Sequence, residues 1–170
     1  MEITQATPRD IPAVWRLVCA CRDNLRYRGI HQWDELYPNE RIVIDDVNSR
    51  SVYVMQQSNV CVAAVTLNEQ QDPAWQHIQW AGGEPALVIH RLCVLPEHQG
   101  AGNAARLMDF AEARAAQFGY AGIRLDAYSG NPAAVGLYER RGYRKAGQVN
   151  YSRCSLPAVC FEKLIPRPLG

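Results

Sequence analysis

The apolar positions of the 170-residue chain change period several times, and each change predicts an element. Ile3 to Ala6 opens as a short strand. Thr7 and Pro8 then supply an N-cap and a first helical residue. Ile11, Val14, Trp15, Val18, Cys21 and Leu25 recur at three- and four-residue spacing, which predicts a helix with one apolar face, ended by Gly29. Residues 30–38 form a loop rich in large side chains, and Asn39 caps a second helix through about Asn48. Two apolar runs, 51–55 and 60–67, flank Ser58 and Asn59 and read as a hairpin. A polar insertion from Asn68 to Pro85 carries Trp75 and Trp80. The apolar run 86–95, interrupted only by His90 and Arg91, follows as a buried strand. From about Gly102 to Phe118 the spacing predicts a helix with an inner stripe of Ala104, Met108, Ala111, Ala115 and Phe118. Ile123–Tyr128 is a strand, Pro132–Arg140 a short helix stopped by Gly142, and 143–149 and 159–164 are closing strands.

The predicted order is βααβββαβαββ. Early hairpins followed by strand–helix alternation imply an α/β (α+β) fold. Its sheet is mixed and largely antiparallel, with about seven strands and helices on both faces. No repeat, low-complexity tract or linker divides residues 1–170, so one domain is expected. Eighteen Lys+Arg against 17 Asp+Glu leave a net charge of +1, which argues against a nucleic-acid or acidic-membrane partner. No apolar run approaches the roughly 18 residues that span a bilayer. Met1 to Thr4 lacks the basic and apolar regions of a signal peptide, so a cytoplasmic location is expected. The six cysteines form no CxxC or CxxH pair, which leaves buried reduced thiols and no metal site as the expectation.

The chemistry concentrates after the apolar strand. Gln99, Gly100, Ala101, Gly102, Asn103 and Ala104 join that strand to an amphipathic helix. A glycine-rich turn there leaves backbone N–H groups and the positive end of a helix available to a phosphate. It is neither a Walker loop, lacking Gly-Lys-Ser/Thr, nor a G-x-G-x-x-G dinucleotide turn. Further on, Asn131, Ala134 and Tyr138 are spaced three and four apart, so a polar hook, a small surface and a phenol share one helix face.

Together these segments closely resemble the GNAT superfamily of acetyl-CoA-dependent N-acetyltransferases. Gln99, Gly102 and Ala104 fit its Q/R-x-x-G-x-G/A motif. Asn131, Ala134, Tyr138, Gly142 and Tyr143 fit its N-x-x-A-x-x-x-Y-E-x-x-G-F/Y motif, while Asn103 departs from the usual aliphatic residue. The resemblance implies a GNAT fold and acetyl transfer from acetyl-CoA, as cosubstrate, to a primary amine by direct attack in a ternary complex. It implies that backbone groups of Leu92, Cys93 and Val94 pair with the pantetheine arm, at a point where the strand splays or bulges. N–H groups from Gly100 to Ala104 would hold the pyrophosphate. Asn131 would bond the pantetheine, Ala134 would let it pass, and Tyr138 would protonate the departing thiolate.

A lysine-like amine titrates near about 10.4 and arrives protonated, so a base or an ordered water must act first. His90 lies two residues before Leu92, on the same face by strand alternation, and an ordinary imidazole near about 6.5 suits that task. Arg91 points the other way, toward an outward ion pair. In this family the loop between the first two helices borders the acceptor pocket. Here Trp33 and Tyr37 either meet the amine there or anchor the loop to the core. Trp75 and Trp80 either form a lid on that pocket or belong to a mobile insertion. The acceptor would be a small-molecule or peptide amine, and edge strands allow a homodimer. A non-catalytic acyl-CoA sensor and a nucleotide-binding protein of another class are the alternatives.

Overall fold

The computed structural model describes residues 1–166. Its elements are β1 (Ile3–Gln5), α1 (Ile11–Tyr27), α2 (Glu40–Asn48), β2 (Val52–Gln57), β3 (Val60–Asn68), β4 (Ala86–Val94), α3 (Asn103–Gln117), β5 (Gly122–Tyr128), α4 (Pro132–Arg140), β6 (Arg144–Val149) and β7 (Ala158–Leu164). This is the order the sequence predicts. The strands form one seven-stranded sheet in the order β1-β2-β3-β4-β5-β7-β6. The β1–β2, β2–β3, β5–β7 and β6–β7 pairs are antiparallel and β4–β5 is parallel. The parallel pair follows from chain length: α3 fills the crossover that two parallel strands need. Ser58 and Asn59 have φ of 48° and 66°, the positive values of a two-residue hairpin turn whose twist matches the strands it joins. No helix among the described residues is long and apolar enough to cross a membrane.

The chain forms two compact units. One comprises residues 1–67 with 90–110, the other residues 68–89 with 111–166 among those described. In the first, Val14, Leu17, Val18 and Cys21 of α1 and Val43 and Val47 of α2 pack with Val52, Val54, Cys61, Ala64 and Cys93. The chain enters α1 through a 3-10 turn, Pro8–Asp10, closed when the Thr7 N–H and hydroxyl donate to Asp10 Oδ2 at 2.8 and 2.7 Å. That carboxylate, held by the Thr7 N–H, sits below its ordinary pKa despite partial burial.

The second unit is built around Trp75, Ile78, Val88, Val149, Ala158 and Cys160. Here the structure corrects the reading of the insertion. Trp75 is 3% exposed and is a core residue rather than a lid. The segment is pinned by Arg124 of β5, itself 2% exposed, whose guanidinium bonds Glu162 (3.1 Å), Glu84 and the Gly82 carbonyl (2.9 Å) and stacks on Trp80 at 4.9 Å. Glu162 also takes the N–H groups of Ala81 (2.7 Å) and Gly82 (3.2 Å). Four of the six cysteines are buried, and Cys19 and Cys154 are half-buried. The α3 stripe also differs from expectation. Leu107, Met108, Ala111 and Ala115 are fully buried, but Phe118 lies beyond the end of α3, 57% exposed, with the Arg114 guanidinium 4.6 Å from its ring centre.

Removing one partner of a buried ion pair leaves the other charge uncompensated. Arg124→Met is therefore expected to lower the unfolding free energy by about 3–5 kcal/mol in a urea titration. The Arg124→Met/Glu162→Leu pair should recover only part of that loss, because the N–H groups of Ala81 and Gly82 then lose their acceptor.

Candidate active site

Strand β4 and the turn after it carry the first set of predicted residues. The Leu95 N–H donates to the Val62 carbonyl at 2.8 Å, continuing the pairing with β3. Alternation from that bond puts the backbone groups of Cys93 on the β3 edge and those of Leu92 and Val94 on the opposite edge. Leu92 and Val94 can thus offer main-chain groups to an extended ligand, whereas Cys93, predicted as a third pairing residue, is turned toward β3. The Val94 carbonyl is already engaged, accepting from Gln99 Nε2 (3.0 Å) and Cys21 Sγ (3.2 Å). The Cys93 side chain packs in the first core. A hydrogen bond with Cys21, with burial, holds the Cys93 thiol well above its ordinary pKa, so it is protonated and unsuited to nucleophilic attack.

The turn is shaped by its own side chains. Pro96–His98 makes a 3-10 turn. Gln99 sends its side chain back to Val94 and its N–H to the Pro96 carbonyl (3.2 Å), so it builds the turn rather than facing outward. Asn103, 4% exposed, donates from Nδ2 to the His98 carbonyl at 2.9 Å. Its departure from an aliphatic residue is satisfied by that bond. Gly100 and Gly102 have φ of 75° and 80°, and nothing lies within 4 Å of where a Cβ would stand on either. Among the described residues no backbone acceptor takes the N–H of Gly100, Ala101 or Gly102. The first helical donor is Arg106, bonded to the Gly102 carbonyl at 3.0 Å, which leaves the N–H groups of Asn103, Ala104 and Ala105 at the helix start. The result is an array of donors at the positive end of a fifteen-residue helix, exposed at Gly100, Ala101 and Gly102 and partly covered at the helix start.

Within β4, Arg91 has a φ of 48°. The strand repeat is interrupted at the residue that separates His90 from Leu92, so counting in twos does not carry a shared face across it. Arg91 does make an ion pair, but not an outward one. It meets Asp46 at 2.6 Å with the two side chains only 12% and 15% exposed. Its Nη1 donates to the Tyr37 hydroxyl at 3.2 Å. Trp33 packs against the first core, which is the anchoring role for that residue. His90 is half-buried on β4.

In the second unit, Asn131 caps α4 by accepting the Ala134 N–H at 3.3 Å, with Pro132 as first helical residue. Tyr138, 7% exposed, lies against Tyr143 and Phe161 with ring centres 5.9 Å away in each case. Among the described residues no hydrogen bond reaches its hydroxyl. Burial, aided by the nearby Asp126 charge, pushes the phenol well above its ordinary pKa, so the proton stays on oxygen across the working range. Asp126 was not singled out by sequence spacing. It is half-buried on β5, and its Oδ2 accepts from Tyr151 Oη and from Trp75 Nε1 (3.3 Å). Burial raises the Asp126 pKa, with those two donors opposing. Its only signal in the sequence is that it and Arg124 are charged residues inside a mostly apolar strand.

The model of the acetyltransferase (GNAT) family matches residues 14–143. The chain belongs to the GNAT acetyltransferases. Among GNAT relatives, the uncharacterized N-acetyltransferase YesJ of Bacillus subtilis is 27% identical over 146 residues, 84% of this chain and 81% of the relative. A GNAT-family acetyltransferase from Streptococcus agalactiae has a TM-score of 0.80 at 19% identity, covering 98% of this chain and 96% of its own. The ribosomal-protein-S18-alanine N-acetyltransferase of Escherichia coli has a TM-score of 0.73 at 17% identity, covering 99% and 96%. These two structures share the GNAT fold. The family match spans both the Gly100–Ala104 turn and the Asn131–Tyr143 segment.

Two outcomes follow for this GNAT chain. Gly102→Ala places a Cβ on a left-handed backbone with no steric neighbour, so strain alone should cost about 1–2 kcal/mol in denaturant unfolding. Asp126→Asn removes a negative charge beside Tyr138, and the phenol pKa should fall, as read by titrating ring-labelled tyrosine by NMR.

Proposed function

We propose that this acetyltransferase moves the acetyl group of acetyl-CoA to a primary amine of a small molecule or peptide, by direct attack in a ternary complex. The observation that carries the reading is the donor array at Gly100–Ala105, set at the end of a strand whose Leu92 and Val94 face away from β3. A pyrophosphate satisfies those N–H groups without basic side chains, and the missing Cβ of Gly100 and Gly102 lets it approach the main chain. The paired register of β4 with β5 runs from Ala86 to Val88, which supports the reading that an extended pantetheine arm lies along the later residues of β4. Acetyl-CoA supplies an activated acyl group and a thiol leaving group.

The chain's part is to align, to remove a proton and to return one. Asn131 bonds the pantetheine and Ala134 leaves space for it. His90, directly or through water, takes the proton that a primary amine carries near neutral pH. Tyr138 protonates the departing sulfur, and burial keeps its phenol protonated before the transfer. Fixed main-chain donors aimed at the developing oxyanion lower the barrier further, since they need no reorganisation as charge builds.

Calorimetric titration with acetyl-CoA, with ATP as control, tests the first step. Micromolar binding of acetyl-CoA alone supports the reading, and no binding sinks it. With an amine identified by thiol release, Tyr138→Phe should lower kcat by about 100-fold while leaving acetyl-CoA affinity within twofold. His90→Gln should flatten the acidic limb of the kcat/KM profile, and an intact limb would reassign the base to water or another group.

A further inference from the structure

Arg91 stands between the residue proposed to take the proton and the one proposed to hold the pantetheine. Its left-handed φ is strained for a non-glycine residue and persists only where the surroundings hold it. The holding is done through its guanidinium. Nη2 and Nε reach Asp46 Oδ2 at 2.6 and 2.8 Å, and Nη1 donates to the Tyr37 hydroxyl at 3.2 Å. Asp46 lies on α2 and also accepts from the Thr66 hydroxyl of β3 at 3.2 Å. Tyr37 lies on the loop after α1. There the Asp34 carboxylate takes the N–H groups of Leu36 and Tyr37, each at 2.8 Å, and the Asp34 N–H donates to the Tyr37 carbonyl at 2.9 Å. One planar fork therefore ties the left-handed residue of β4 to α2, to β3 through Asp46, and to the loop that carries Trp33 and Tyr37. A lysine ammonium is a single point charge and cannot span these partners in one plane.

We propose that Arg91 is a positioning residue that fixes the acceptor-side loop through Tyr37 while holding its own left-handed backbone in β4. Amine recognition and the local geometry of the cosubstrate strand then depend on the same guanidinium. The proposal deepens the amine-acetylation reading and rests on it for its kinetic readout. Its backbone and side-chain halves are separable, because glycine keeps a φ near +48° without strain whereas alanine does not.

The experiment uses Tyr37→Phe, which removes one hydroxyl, and two variants in an Asp46→Asn background, so that no buried carboxylate is left without its cation. These two are Arg91→Gly and Arg91→Ala. Acetyl-CoA affinity is measured by calorimetry. Amine KM and kcat are measured with whichever of spermidine, lysine, kanamycin or an alanine-terminated peptide releases thiol. Amide exchange over residues 30–38 is followed by mass spectrometry. Tyr37→Phe is expected to raise the amine KM about tenfold with kcat and acetyl-CoA affinity within twofold, since the lost bond is to a charged group. Arg91→Gly should raise the amine KM further with acetyl-CoA affinity kept. Arg91→Ala should weaken acetyl-CoA as well. In all three, exchange over residues 30–38 should quicken. Unchanged exchange in Tyr37→Phe and Arg91→Gly overturns the positioning role whatever the activity, as does an unchanged amine KM in both. Absent acetyl-CoA binding by the unmodified protein would instead refute the amine-acetylation reading, with the exchange result still deciding whether Arg91 anchors the loop.

Discussion

Strand β4 has to satisfy two demands that conflict. As an interior strand it is pressed into apolar surroundings, where a backbone N–H or C=O without a partner is costly. As the proposed cosubstrate strand it must keep one edge ready for another molecule. The chain resolves this by pairing β4 with β3 through the Leu95–Val62 bond and by bending it at Arg91. The Val94 carbonyl is covered from within by Gln99 and Cys21. The glycine-rich turn, the α3 start and the acceptor-side loop are each fastened to that arrangement. Gln99 and Asn103 spend polar side chains on the turn itself, which is how a loop of small residues keeps one shape before anything binds.

The second unit shows a comparable division of labour. Arg124 and Glu162 organise an insertion that contributes Trp75 to the core and, through the indole N–H, a hydrogen bond to Asp126. The buried charge pair does not need to be a source of net stability to matter. Its geometry fixes the Gly82 turn at a spot where an added Cβ would come within 2.8 Å of Leu164, so position rather than energy is its contribution.

Much of this was legible in the chain because local rules carried it. The order of elements followed from apolar periodicity, and the caps at Asn39 and Asn131 from their residue types. The donor array followed from two glycines at the entrance of a helix. The departures have a common cause in long-range contacts that spacing does not encode. Arg91 was read as outward because alternation was assumed to hold through β4, and a single positive φ breaks it. By sequence Trp75 stands between a lid and a mobile insertion because its neighbours are polar, yet its burial comes from packing with Val88, Val149, Ala158 and Cys160, distant in sequence. Phe118 was placed in the α3 stripe although the helix stops at Gln117, just short of it. Asp126 carried no motif, and only tertiary burial made it a neighbour of Tyr138.

The packing of Cys21, Cys61 and Cys93 has a consequence for a protein proposed to carry an acyl thioester. Thiol–thioester exchange proceeds through the thiolate, and an ordinary cysteine on a strand presenting an acyl-CoA would compete with the amine for the acyl group. Burial carries Cys61 up to about 12, and Cys93 is raised by its bond to Cys21 together with burial. The sulfurs of Cys61 and Cys93 are thereby kept as thiols in the first core, which disfavours acylation of the chain itself on the strand proposed to carry the cosubstrate while keeping compact, polarizable side chains there.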